Sequence, residues 1–137
     1  MKTIEVVAAV IKHDNKIFTS RRNYGEFENM WEFPGGKIEE GETREEALIR
    51  EIKEELELNI EVNKYLTTVE YDYPNFHLIM HCFMCTIIGG ELRLNVHNDA
   101  KWTTLEELDK LNWIAADILV VEKLKECEKS MDILIKV

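Results

Sequence analysis

The chain has 137 residues, 45% of them hydrophobic and 32% charged, which suits one domain spanning 1–137 that can bury most of its apolar surface without disulfides. Its formal net charge of −10 argues against binding the phosphate backbone of a nucleic-acid polymer. No charged-then-apolar leader opens the chain and no apolar run reaches the roughly 18 residues of a membrane span, so a cytoplasmic protein off the membrane is expected.

Ile4 to Ile11 is a nearly uninterrupted apolar run rich in Val and Ala, the pattern of a strand buried on both faces. His13-Asp14-Asn15-Lys16 reads as a turn and Ile17 to Arg22 as the returning strand, with Arg21 and Arg22 at its end. Taken alone, those arginines are read equally well as a solvated strand end. Asn23 to Met30 is polar and holds Gly25, so a loop is expected before Trp31-Glu32-Phe33-Pro34 and the pair Gly35-Gly36. The glycines would let the backbone turn tightly and expose carbonyl oxygens to a ligand or metal.

From Lys37 to Glu57 there are nine acidic against four basic residues. Thr43 followed by Glu46 has capping-box spacing, and Glu45 and Glu46 suit the first turn, so a helix is expected from about Thr43. Leu48, Ile49, Ile52 and Leu56 fall on one apolar stripe that should be buried. Glu51, Glu54 and Glu55 share a neighbouring arc. Such like charges repel by a few tenths of a kcal/mol per pair unless a cation sits among them, and all-oxygen ligands suit Mg²⁺ or Mn²⁺. On an arbitrary helix a solvated acidic face is the simpler reading.

Ile60 to Tyr73 and Phe76 to Ile88 are β-like runs broken at Pro74-Asn75, expected to pair as a hairpin. His77 and His81 then share a strand face and read as ordinary strand histidines. Cys82 and Cys85 have metal-ligand spacing but lie in an apolar run without a second pair, so buried reduced thiols are expected rather than zinc; Cys127 makes the count odd. Glu91 to Leu94 reads as a short strand, His97-Asn98-Asp99 as a polar loop and Lys101-Trp102 as another short strand. Thr104 and Glu107 form a second capping box opening a short helix. The last helix is expected over Asp117 to Cys127, with Asp117 as N-cap and Ile118, Val121 and Leu124 on its apolar stripe. Strands, helix, strands and helix in that order point to an α+β domain with a mixed sheet.

The solvated-face reading gives way to a joint pattern: Gly36, five residues, Glu42, seven residues, Arg50-Glu51-Ile52, one residue, Glu54-Glu55. This resembles the Nudix hydrolase signature, G-x5-E-x7-R-E-U-x-E-E-x-G-U with U a bulky aliphatic, and Leu58 supplies the last aliphatic. Glu57 stands where the family usually has glycine, which predicts a helix exit shifted towards Asn59. Arg21-Arg22, Trp31-Glu32-Phe33-Pro34, the Trp102 strand and Ala115-Ala116-Asp117 resemble the MutT branch.

The resemblance implies the Nudix fold, a mixed β-sheet sandwiched between helices in a single domain. It implies hydrolysis of a nucleoside triphosphate of 8-oxo-dGTP or CTP type to monophosphate and pyrophosphate with Mg²⁺ or Mn²⁺, in nucleotide-pool sanitation. A non-catalytic nucleotide-sensing module and a hydrolase of another nucleoside diphosphate derivative are the alternatives. Carried over by position, Glu51, Glu54 and Glu55 are metal ligands, with the Gly35 carbonyl as a further one and Glu54 as an alternative base. Arg50 would orient carboxylates from within reach of Glu46 and Glu54, while Gly36 and Glu42 shape the loop. Substrate contacts are implied at Arg22, Phe33, Gly36 and Asp117, the last serving either as a helix cap or as a reader of the base edge. Where MutT-like proteins often carry a late glutamate this chain has Val96, with Asp99 as the nearby substitute. The expected partner is a small nucleotide, with neither nucleic-acid polymer nor membrane, and a homodimer is left open.

Overall fold

The computed structural model describes residues 1–136, with side chains as far as Lys129. Strand β1 (Lys2–His13) is the centre of assembly. Its Val7 to Ile11 are all buried because alternate side chains serve opposite faces: Ala8 and Val10 join one core cluster, Val7, Ala9 and Ile11 the other. The turn after β1 places Asp14 and Asn15 at φ 48° and 63°, a left-handed conformation these residue types tolerate. Strand β2 (Lys16–Arg22) returns antiparallel, β3 (Trp31–Glu32) pairs with it, and β4 (Gly35–Lys37) pairs with β1 over Val6 to Ala8.

Helix α1 (Arg44–Leu56) follows, then the long hairpin of β5 (Leu58–Asp72) and β6 (Phe76–Gly90). Strand β7 (His97–Thr104) pairs with β2, a 3-10 helix covers Leu105–Lys110, and α2 runs over Ala115–Lys136. The seven strands form one mixed sheet in the order β3-β2-β1-β6-β5, with β4 on β1, β7 on β2, and β1 parallel to β6. Ala47, Leu48, Ile52 and Leu56 of α1 close one face; Ala116, Val120, Val121 and Leu124 of α2 close the other. The expected α+β mixed sheet between helices is what the chain forms.

Several local expectations are corrected. Ile49 is 43% exposed, because α1 centres its buried arc on Leu48 and Ile49 lies about 100° away from it. Ile118 is likewise 43% exposed, since α2 turns Ala116, Asp117, Val120, Val121 and Leu124 inward. Helix α1 ends at Glu57, which itself takes φ 57°, while Asn59 lies within β5. Glu91 to Leu94 has no regular structure, and His97-Asn98-Asp99 begins β7 because Arg21 and Arg22 pair with Asp99 and His97 across a bulge. Thr104 does open a short helix, but its hydroxyl donates to the Glu107 carboxylate and caps no backbone amide.

Cys82 and Cys85 belong to opposite core clusters, three residues apart on a strand, so they cannot chelate one ion. Burial pushes the Cys85 thiol up to about 12 and raises that of Cys82, while Cys127 is exposed. His77 sits between Asp72 and Glu70, and buried His81 between Thr68 and Glu5.

Candidate active site

A cavity of about 650 Å³ opens beside β1, bounded by β4, α1, the end of β2, the tip of the β5–β6 hairpin and the start of α2. One wall carries Gly35, Gly36, Glu51 and Glu55; another carries Tyr24, Phe27, Tyr73, Phe76 and Asp117. Arg22 and Glu32 also face the cavity and are paired at 2.5 Å.

Local sequence builds the carboxylate wall. Thr43 caps α1 by accepting the Glu46 amide at 3.1 Å, and the Glu46 carboxylate accepts the Thr43 amide at 2.9 Å. That capping occupies Glu46, so Arg50 turns elsewhere than expected: its guanidinium forks onto Glu42 at 2.7 and 2.9 Å. Arg50 also donates to Glu51 at 2.9 Å and to the Lys37 carbonyl at 3.0 Å, and reaches Glu54 only at 3.3 Å. Glu42 accepts the Glu39 amide at 2.8 Å, closing the loop before the helix. The Arg50 bonds hold the Glu42 carboxyl below its usual range, and Glu42 in turn raises Arg50.

The two glycines act through close approach. They form strand β4, contrary to the expected tight turn, with Gly35 opposite Ala8 and Gly36 opposite Val7. A Cβ on Gly35 would overlap the Val7 carbonyl oxygen, and one on Gly36 would overlap the Glu51 carboxylate.

Measured from Leu48 at 100° per residue, Glu51 and Glu55 fall at about −60° and −20°, inside the arc that α1 buries, and Glu54 falls at about −120°, outside it. Glu51 and Glu55 accordingly line the cavity, their side chains 15% and 14% exposed, while Glu54 is 58% exposed beside Arg50. Burial pushes the Glu55 carboxyl up to about 9, helped by Glu32 and Glu51. Burial also acts to raise Glu32, but hydrogen bonds from His97 and Arg22 outweigh it and keep that carboxyl low. His97 has a fully buried ring whose Nε2 lies 3.0 Å from Glu32 and 3.9 Å from Glu55.

Among the described residues no three His, Cys, Asp or Glu side chains converge at metal-ligand distance. The donor chemistry nonetheless fits a hard divalent cation, because Glu51 and Glu55 crowd one wall and their mutual repulsion is what a cation would relieve. Glu54 would join them by turning from Arg50, releasing an exposed i,i+4 pair whose loss costs roughly 0.5 kcal/mol or less.

Asp117 is no N-cap, since α2 starts at Ala115 and Asp117 lies in its first turn. Its buried carboxylate accepts the Phe33 amide at 3.0 Å, and burial, followed by Glu32, pushes it up to about 8. The Phe33 ring stacks on Trp113 at 4.7 Å, leaving its backbone as the part tied to Asp117. Tyr73 accepts the Ala116 amide at 3.0 Å and packs on Phe27, Tyr71 and Phe76. Arg22 lies 5.0 Å from the Tyr24 ring and 5.7 Å from that of Phe27. Asp99 does not line the cavity; its carboxylate accepts the Ala100 amide.

Glu32, His97, Tyr24, Phe27 and Tyr73 are the site residues that sequence reasoning missed. A charge inside the apolar Trp31-Glu32-Phe33 run was a signal for Glu32; nothing local distinguished the others.

A family model described as NUDIX domain matches residues 1–123. The CTP pyrophosphohydrolase of Escherichia coli (strain K12) is 33% identical over 123 residues, 89% of this chain and 91% of that protein. The 8-oxo-dGTP diphosphatase of Proteus vulgaris is 38% identical over 93 residues, 66% of this chain and 83% of that protein. The ADP-ribose pyrophosphatase of Methanocaldococcus jannaschii is 39% identical over 114 residues, 81% of this chain and 66% of that protein. Taken with the spacing from Gly36 to Glu55, this match places the chain in the Nudix family, as a hydrolase of the MutT type.

Proposed function

We propose that residues 1–137 act as one domain that hydrolyses a nucleoside triphosphate, oxidised-purine or cytidine in type, to monophosphate and pyrophosphate with Mg²⁺ or Mn²⁺, clearing it from the cytoplasmic nucleotide pool. The observation that carries the reading is one cavity of about 650 Å³ with a carboxylate wall and an aromatic wall, suited to a polyphosphate and a base. Glu51, Glu54 and Glu55 would hold the metal together with the Gly35 carbonyl. A divalent cation bound there neutralises phosphate oxygens and lowers the pKa of water.

The chain's own residues divide the remaining work. Arg50 keeps Glu51 facing the cavity, since its fork is already anchored on Glu42. Gly36 leaves room for the Glu51 carboxylate and for phosphate approach. Arg22, backed by Glu32, offers planar N–H donors to a phosphate or a base carbonyl. The aromatic wall stacks the base and excludes water, and Asp117 at about 8 is largely protonated at neutral pH, so that it both donates and accepts along the base edge. Glu54, exposed and loosely held, is either the third ligand or the proton acceptor for the attacking water.

The 39% identity to an ADP-ribose pyrophosphatase favours a second reading, a nucleoside diphosphate derivative. Purified protein with Mg²⁺ is to be offered CTP, dCTP, GTP, 8-oxo-dGTP and ADP-ribose, with products separated chromatographically. The expected result is a triphosphate preferred at least about tenfold in kcat/KM, giving monophosphate and pyrophosphate without inorganic phosphate. Diphosphate plus phosphate as primary products would overturn the proposal, and a preference for ADP-ribose would establish the second reading.

A further inference from the structure

Helix α1 ends under an unusual load. Glu54, Glu55 and Glu57 cluster negative charge at the negative pole of the helix dipole, with Lys53 as the basic residue of the last turn. In a longer helix the amides of Leu58 and Asn59 would satisfy the carbonyls of Glu54 and Glu55, but both residues depart into β5 after Glu57 takes the left-handed conformation. The missing donors arrive from the irregular segment before β7. Arg93 donates its amide to the Leu56 carbonyl at 2.9 Å, and Asn95 its amide to the Glu55 carbonyl at 3.0 Å. The side-chain amide of Asn95 donates to the Glu54 carbonyl at 2.8 Å and reaches the Glu57 carboxylate at 3.3 Å.

One residue thus stands in for the next helical turn beneath both Glu54 and Glu55. Two residues further on, His97 meets Glu32 and approaches Glu55 from inside. We propose that Asn95 is a positioning residue, holding the backbone of Glu54 and Glu55 so that their carboxylates reach a divalent cation. In this chain the segment before His97 would then serve the site with hydrogen-bond donors, where Val96 leaves it without a carboxylate. The inference rests on the reading above that the α1 carboxylates hold the metal.

The test measures Mn²⁺ binding without nucleotide, by the electron paramagnetic resonance signal of free Mn²⁺, in wild type, Asn95→Ala and Leu92→Ala. Leu92 is an exposed member of the same segment and serves as the control. Asn95→Ala is expected to weaken Mn²⁺ binding roughly tenfold, the low end for partners that orient metal ligands. It should also speed amide exchange over Lys53 to Glu57 and raise the half-saturating Mg²⁺ for turnover, with kcat at saturating metal within about twofold of wild type. Leu92→Ala should match wild type. Unchanged Mn²⁺ affinity in a folded Asn95→Ala, even with faster exchange, would reduce Asn95 to a helix cap and overturn the proposal. Should Asn95→Ala lose cooperative unfolding, Asn95→Gln carries the comparison: it keeps a donor one methylene further out, and equal affinity there would be equally fatal. A wild type that binds no Mn²⁺ would sink the metal reading of the site first, an outcome visible without any variant.

Discussion

The two walls of the cavity are made in opposite ways. Gly35 to Glu55 is one continuous stretch, within which Arg50 forks onto Glu42 and bonds Glu51, and helix periodicity alone decides which glutamates face inward. The aromatic wall is gathered from Tyr24 and Phe27 in a loop, Tyr73 and Phe76 at a hairpin tip, and Asp117 on the last helix. Their buried carboxyls differ as well. Glu55 is pushed up to about 9 with Glu32 and Glu51 beside it, a crowding that a cation relieves. Asp117 is pushed up to about 8 while accepting the Phe33 amide, the setting of a neutral hydrogen-bonding group. The contrast assigns charge chemistry to the local wall and ligand selection to the assembled one.

The largest expected effect tests the local wall. Glu51→Gln and Glu55→Gln should each lower kcat/KM at least about a hundredfold, roughly 3 kcal/mol of transition-state stabilisation, while leaving the ratio between competing bases nearly unchanged. Steady-state kinetics on two triphosphates checks this, and a changed ratio would mean that the walls are not separable. Gly35→Ala should destabilise the fold by about 2 to 3 kcal/mol in denaturant unfolding, because its Cβ meets the backbone of β1. Gly36→Ala meets only the movable Glu51 side chain and should lose activity with little loss of stability. Equal stability of the two variants would refute close approach as the reason for the first glycine.

Asp117→Asn tests the assembled wall: the total rate should fall less than in the glutamate variants, but the ratio of kcat/KM values between an oxidised guanine and a cytidine triphosphate should shift several-fold. Its pH dependence has a definite sign. The folded carboxyl titrates near 8, above the ordinary 3.8, so between those values the folded state holds the extra proton and stability falls as pH rises. Glu55 acts in the same direction up to about 9 in metal-free buffer. The melting temperature of wild type should therefore drop more steeply from pH 5 to 9 than that of Asp117→Asn, and added Mg²⁺ should offset the Glu55 part. Parallel curves for the two proteins would show that Asp117 is ionised in the folded state. The smallest effect expected is from Glu57→Gly, which removes a left-handed non-glycine residue and should gain up to about 1 kcal/mol, or about 4 °C in Tm.

What the sequence by itself determined is what contiguous residues determine among themselves. The capping box at Thr43 and Glu46, the β5–β6 hairpin around Pro74-Asn75 and the glutamate spacing were all legible, because each rests on interactions a few residues long. The same periodicity already held the separation of Glu54 from Glu51 and Glu55, once Leu48 was taken as the centre of the buried arc. Tertiary structure alone decided the rest. His97 became a buried strand residue because β7 pairs with β2, and Arg22 met Glu32 because β2 pairs with β3. Asp117 lost its capping role to a bond with the Phe33 amide, and Glu57 bore the helix exit, against its own backbone preference, where Asn95 from a distant segment supplied the missing donors. Sheet register and donors from distant segments leave no short-range trace, since the groups that meet are brought together only when the whole sheet closes.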